Sequence, residues 1–191
     1  IEWSLYQLNG RNEIISVRQA DGVNLNQNTG QTKHYGIEYQ VKYNFSKLIQ
    51  INFNGSNAKH LYVNTILKGT DISNKEMVAA PRFFSNLTIL SQWNSAISSS
   101  IEWQHQSGYF MDEINATRYT GFDVLNLRVN YSIKKHEFWF QCLNLTDQFY
   151  ASMATKNFSV RGTNAYAYYL GDNRTLAIGW RWNLINSRLQ L

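Results

Sequence analysis

The feature that most restricts the fold is a period of two. Between residues 124 and 147, Leu125, Leu127, Val129, Tyr131 and Ile133 take one side of an extended chain, and Asn126, Arg128, Asn130 and Ser132 take the other. Side chains alternate in this way on a β-strand and not on a helix. A polar turn at Lys134 and Lys135 follows, after which Phe138, Phe140 and Cys142 alternate with Glu137, Trp139 and Gln141, up to Asn144-Leu145-Thr146-Asp147. The stretch predicts one complete antiparallel hairpin with an apolar and a mostly polar face. Two settings suit such a hairpin: the apolar face lines a soluble core, or it faces lipid around a polar lumen.

The same alternation recurs and predicts eight strands in all. Ile1, Trp3 and Leu5 alternate with Glu2 and Ser4 to about Tyr6, and a polar stretch rich in Asn, Gln and Gly then runs to Thr32. The cleanest pattern follows, with Tyr35, Ile37, Tyr39, Val41, Tyr43 and Phe45 against His34, Gly36, Glu38, Gln40, Lys42 and Asn44. After a tight connection at 44–47, Ile49, Ile51, Phe53 and Gly55 return against Gln50, Asn52, Asn54 and Ser56. A polar loop over 57–77 leads past Pro81, which needs no ladder donor at a strand start, into a strand over 82–92. Asn94 and Ser95 turn the chain into Ile97, Ile101 and Trp103, and a third loop over 108–120 leads to the hairpin described first. A fourth long loop precedes the last strand, where Leu176, Ile178, Trp180, Trp182 and Leu184 oppose Thr175, Ala177, Gly179, Arg181 and Asn183.

Loop lengths separate the two settings. Connections alternate between long, roughly 13 to 25 residues, and short, about four, as the extracellular loops and periplasmic turns of outer-membrane barrels do. Tyr43, Phe45, Trp93, Tyr131 and Trp182 fall at the short-turn ends, where an aromatic girdle belongs. Composition points the same way, since aromatics reach 15% while charged residues stay at 16%, below the roughly 25% of ordinary soluble domains. No run of apolar residues is long enough for a transmembrane helix, so any crossing is done by strands. The formal charge of +5 comes from basic residues scattered over turns and alternate strand positions with no patch, and no nucleic-acid partner is expected. The single cysteine allows no internal disulfide. The chain opens at Ile1 without an export-signal pattern, which reads as a mature chain or one whose front is missing.

Few residues suggest chemistry. His34, His60, His105 and His136 lie far apart in sequence without metal-ligand spacing, so neither a metal nor a cofactor is expected. Asn144 with Asp147, and Gly171 with Asp172, lack any nucleophile and base beside them and read as turn residues; the chain is not expected to be an enzyme. The loop aromatics and cations Tyr109, Phe110, Arg118, Arg161, Tyr166, Tyr168 and Tyr169 are the candidate ligand contacts, because stacking and cationic groups suit planar or anionic chelates.

Several phrases together resemble the C-terminal part of TonB-dependent outer-membrane receptors: Asn28-Thr29-Gly30 with Gly36-Ile37-Glu38, Pro81 ahead of the fourth strand, Phe122-Asp123-Val124-Leu125-Asn126-Leu127-Arg128, Asn144-Leu145-Thr146-Asp147-Gln148-Phe149-Tyr150, and Gly171-Asp172-Asn173-Arg174-Thr175. Their order and spacing cover nearly the whole chain. Two departures stand out: Thr146 replaces the usual aromatic, and the chain runs past the expected terminal aromatic, near Trp182 or Leu184, to Leu191. The resemblance implies an all-β, antiparallel transmembrane β-barrel in which about eight meander strands form the C-terminal arc of a larger barrel of about 22 strands closed around an N-terminal plug. Residues 1–191 would then be one barrel segment, with the plug and earlier strands absent. It also implies active transport of a scarce nutrient, such as a ferric siderophore or similar iron chelate, in the outer membrane of a Gram-negative bacterium. The implied partners are outer-membrane lipid, the small-molecule ligand, and the TonB complex through the absent plug. The alternative is a self-contained eight-stranded outer-membrane barrel with an adhesion or structural role.

Overall fold

A computed structural model describes residues 1–18, 24–28, 30–67, 69–158 and 164–183. In chain order its strands are β1 (Glu2–Arg11), β2 (Ile14–Arg18), β3 (Asn24–Asn28), β4 (Gln31–Asn44), β5 (Ile49–Val63), β6 (Ile66–Leu67) and β7 (Thr70–Asp71). They continue with β8 (Phe83–Gln92), β9 (Ile97–Phe110), β10 (Arg118–Ile133), β11 (His136–Leu143), β12 (Ala151–Phe158), β13 (Asn164–Leu170) and β14 (Thr175–Trp182). Among the described residues there is no helix. Eight strands form one antiparallel meander in the order β1-β4-β5-β8-β9-β10-β11-β14, as the alternation requires. The segment after Asn183, including Leu184, lies outside the described residues.

Two expectations are corrected. Three of the four long connections are not irregular loops but carry small hairpins of their own, β2–β3, β6–β7 and β12–β13. Several strands also run further toward the long-connection end than the alternation marks: β1 reaches Arg11 rather than Tyr6, β5 reaches Val63 rather than Ser56, and β9 reaches Phe110 rather than Gln104. Past the apolar band the residues no longer sort by face, as Lys59 and His60 followed by Leu61 and Tyr62 show, so the contrast that marks a strand in sequence fades while the backbone ladder continues. The ladder is unbroken from Asn44↔Gln50 to Gln31↔Val63.

Register assembles the alternation into faces. One row runs Tyr43, Ile51, Ile89, Ile101, Leu127, Cys142, Leu176 across seven strands, and the next runs Val41, Phe53, Leu87, Trp103, Leu125. The opposite face carries Lys42, Asn52, Thr88, Glu102 and Asn126 in one row. Among the described residues no second layer covers the apolar face. Ile178 is 82% exposed, Leu5 69% and Trp180 59%, and Trp3 and Leu176 are comparably open. A patch of this extent is far beyond what a water-facing monomer carries. The buried apolar clusters, Tyr62 with Leu67 and Ile72, and Tyr109 with Met111 and Ala154, instead sit at the long-connection end. Among the described residues the apolar rows are therefore not packed as a core.

Candidate functional site

The long-connection end is a built platform. Glycine makes it possible at one point: Gly121 has φ +88, and a Cβ there would stand 2.1 Å from the Gln106 carbonyl oxygen, so β10 can lie this close to its neighbour β9 only without a side chain. Beyond it, Tyr119 and Tyr109 stand opposite each other with ring centroids 5.3 Å apart. Both phenols reach the β12–β13 hairpin. The Tyr109 hydroxyl donates to the Ala154 carbonyl (3.2 Å) and accepts from the Ala154 amide (2.6 Å). The Tyr119 hydroxyl does the same at Ala151, with distances of 2.8 and 3.1 Å. Ala154, fully buried, packs between Tyr109 and Met111. The Lys156 amide donates to the Met111 carbonyl, and its ammonium meets the Asp112 carboxylate at 3.2 Å. The other connection is bound in as well: Asn115 bridges the Glu76 amide and carbonyl, and the Ala79 amide donates to the Phe110 carbonyl.

The candidate ligand contacts divide into three groups. Tyr109 and Phe110 end β9 rather than lying in a loop, and Tyr109 is only 4% exposed, so it supports the platform from beneath. Phe110 opposes Arg118, whose guanidinium carbon lies 5.8 Å from the ring centroid. Tyr166, Tyr168 and Tyr169 stand exposed on β13 opposite Lys156, Ala154 and Met153, and Tyr168 joins Tyr119, Phe149 and Leu170 around a cavity of about 330 Å³. Arg161 lies outside the described residues. At the other end Tyr43, Phe45, Trp93, Tyr131 and Trp182 are all exposed beside short connections, joined there by Phe138, Trp180 and His136.

The polar face holds groupings that residue types alone did not suggest. His34 and His60, far apart in sequence, are paired across β4 and β5, with Nδ1 atoms 2.8 Å apart and His34 Nε2 3.0 Å from the Thr32 hydroxyl. The signal was available, because a turn that pairs Asn44 with Gln50 also pairs every two residues whose numbers have the same sum. Among the described residues no group of three or more ligating side chains converges. Further along this face the Glu102 carboxylate accepts from Asn86 (2.6 Å) and Asn126 (3.1 Å). Arg128 stacks on Trp139 at 5.0 Å, and that ring lies over Gly179, where a Cβ would be 2.2 Å away. On the apolar side Lys33 and Lys59 follow the apolar residues of β4 and β5, with Lys59 opposite Tyr35 and the Lys33 ammonium 5.4 Å from that ring centroid.

Two of the sequence phrases prove to be one structural unit. Asn144, at φ +48, donates from its side-chain Nδ2 to the Gln148 and Asp172 carbonyls and accepts at Oδ1 from the Gln148 backbone amide. The Asp147 carboxylate accepts from the Arg174 amide (2.9 Å). The exit of β11 and the start of β14 hold each other through these turn side chains.

An open antiparallel meander with an uncovered apolar face, a polar face and a loop platform at one end has the form of a β-barrel wall. The family model for "TonB dependent receptor-like, beta-barrel" matches residues 3–146, and the chain belongs to that family. Among solved structures it is similar to the ferric yersiniabactin uptake receptor FyuA from Yersinia pestis, with TM-score 0.75, 14% identity, and coverage of 96% of this chain and 27% of that one. It is also similar to the siderophore receptor PiuA from Acinetobacter baumannii (TM-score 0.72, 13% identity, 93% and 25% coverage). A third is the ferric-catecholate import receptor Fiu from E. coli K12 (TM-score 0.67, 20% identity, 93% and 24% coverage). The chain thus spans about a quarter of the length of each of these receptors. No curated protein matches it.

Proposed function

We propose that the chain is the C-terminal arc of an outer-membrane, TonB-dependent importer of a scarce nutrient, with a ferric siderophore or similar iron chelate as cargo. The observation that carries this reading is the uncovered apolar face, whose rows stay in register across the meander in a chain of the receptor family. In that setting the apolar rows meet lipid, the polar rows line the lumen, and the exposed aromatics at the short turns form the inner-leaflet girdle. The family's proteins are receptors and transporters, and the chain supplies wall and rim rather than catalysis. Energy comes from TonB through a plug carried by the intact receptor. The similar receptors named for ferric yersiniabactin and ferric catecholates motivate the iron-chelate assignment.

The rim residues assigned to ligand are the half-buried Phe110 with the exposed Arg118, and the exposed Tyr166, Tyr168 and Tyr169, with Arg161 beside them in sequence. Uptake of radiolabelled iron-loaded siderophores by whole cells expressing the intact receptor tests this. Replacing Tyr166, Tyr168 and Tyr169 by Ala should lower uptake about tenfold at limiting ligand, as lost aromatic contacts do, while surface display stays normal. Deleting TonB should abolish uptake. Uptake that survives TonB removal would exclude the transport reading, and unchanged uptake in the triple variant would move recognition off this rim.

A further inference from the structure

His34 and His60 stand 26 positions apart in the chain, yet the β4–β5 ladder sets them directly opposite each other on the polar face. Their ring centroids lie 5.0 Å apart at a tilt of 56°, and the two Nδ1 atoms approach to 2.8 Å. At that distance one proton sits between two ring nitrogens aimed at the same point. The surroundings hold the pair from one side. His34 Nε2 lies 3.0 Å from the Thr32 hydroxyl, and Thr32 is only 3% exposed. Gly10 faces Thr32 from β1, where a Cβ would come within 2.4 Å of that hydroxyl, so the missing side chain leaves the hydroxyl its place. Tyr62, opposite Thr32 on β5, is held in the cluster with Leu67 and Ile72. On the other side the next row is Gly36 opposite Ala58, and neither brings a side-chain polar atom to compete for the ring nitrogens. Both histidines are half-buried, which leaves them within reach of a solute on the polar face.

We propose that His34 and His60 bind a divalent cation of the Zn²⁺, Cu²⁺ and Ni²⁺ class between their two Nδ1 atoms. Imidazole is a favoured ligand of these ions, at about 2.0 to 2.1 Å. Two such bonds at a tetrahedral angle set their nitrogens about 3.3 Å apart, so the pair opens by about 0.5 Å to admit the ion. The shared proton leaves the gap and returns on Nε2 of the ring that carried it, and both imidazoles stay neutral. Thr32 is the positioning residue. With both Nδ1 atoms on the ion, His34 Nε2–H donates to the Thr32 hydroxyl, which fixes the tautomer and the ring orientation. Among the described residues no third histidine, cysteine or carboxylate converges here, so the remaining positions open to the polar face and take water or an anionic oxygen donor. A site with two protein ligands holds its ion exchangeably, unlike a closed structural site. It does not depend on which nutrient the receptor carries.

The test uses the full-length receptor in mild detergent, free of any affinity tag and stripped with a chelator. Titration with Cu²⁺ alone, read by pulsed EPR, should reveal a centre with two imidazole ligands, and excess Zn²⁺ should displace it. His34→Gln and His60→Gln should each erase that two-imidazole signal, whereas Thr32→Val should keep it and weaken binding about tenfold. A signal unchanged in either Gln variant overturns the proposal. Its absence from the wild type at micromolar Cu²⁺ does so too, and leaves the rings a hydrogen-bonded pair only. Unchanged affinity in Thr32→Val overturns the positioning role. Should a Gln variant fail to fold, amide exchange in the wild-type receptor decides. Added Zn²⁺ should slow exchange around residues 34 and 60 severalfold while the β9–β10 ladder is unaffected, and equal exchange with and without Zn²⁺ overturns the site.

Discussion

At the tip of β9 one phenol hydroxyl is both donor and acceptor to a single residue's backbone, an arrangement that Tyr119 repeats at Ala151. Tyr109→Phe removes that oxygen and strands a buried amide and carbonyl at Ala154, which should cost about 1 to 3 kcal/mol of hairpin docking. Faster amide exchange at Ala154, with the β4–β5 ladder unchanged, is the expected readout in the intact receptor. Asp112 sets the pH response of the same joint. Its burial opposes ionisation, but hydrogen bonds from Thr117, the Ala116 amide and Lys156 outweigh it and hold the carboxyl below the usual range. A depressed folded-state pKa contributes stability above the unfolded value of about 3.9 that is lost as pH falls through the folded value, so docking should hold at neutral pH and loosen only below about pH 4. Exchange over 151–158, corrected for intrinsic rates, should show that acid loosening in the wild type and a joint already loose and pH-independent in Asp112→Asn.

Strands and hairpins differ in what makes them visible. The eight wall strands declare themselves because lipid-type and water-type surroundings alternate residue by residue, as Tyr35 to Phe45 show most clearly. Their upper thirds do not, because Lys33 and His34, or Lys59 and His60, are polar on both faces and only the ladder identifies them. The β12–β13 hairpin is equally hidden: Ala151 and Ala154 are small residues with no period, and their burial depends on tyrosines 32 and 45 positions away. Gly121 is the hinge of this element pair, and a side chain there meets the backbone of Gln106 and Ser107 at 2.1 and 2.7 Å. Gly121→Ala should therefore disturb the upper β9–β10 ladder and release the hairpin that rests on it, seen as protease cleavage between 151 and 170 while the gel mobility of the folded barrel survives. The paired histidines became legible only through register, which follows from the short turns and not from residue type.

For the molecule as a whole, the two faces make opposite demands. Ile178→Arg places a cation on the uncovered face and should cost about 2 to 4 kcal/mol if that face meets lipid near the midplane, whereas Arg181→Ala removes an exposed ion pair with Glu137 and should cost less than about 1 kcal/mol. Reversed costs in detergent-refolding titrations of the intact receptor would turn the sheet inside out. The edges make a separate demand. Within the described residues β1 pairs only with β4 and β14 only with β11, so each presents a row of backbone donors and acceptors with no strand beside it. In lipid every such unpaired group costs several kcal/mol, far more than side-chain contacts along an eight-residue edge return. The 191-residue polypeptide expressed by itself should therefore not insert as a closed monomer; it should associate through its edges or stay protease-sensitive until neighbouring strands are supplied. Folding it into micelles, then measuring gel mobility before and after boiling together with its size in solution, separates the outcomes. A monodisperse, protease-resistant monomer would mean that β1 and β14 meet, closing eight strands on themselves, and the wall would belong to a small complete barrel rather than to an arc of a larger one.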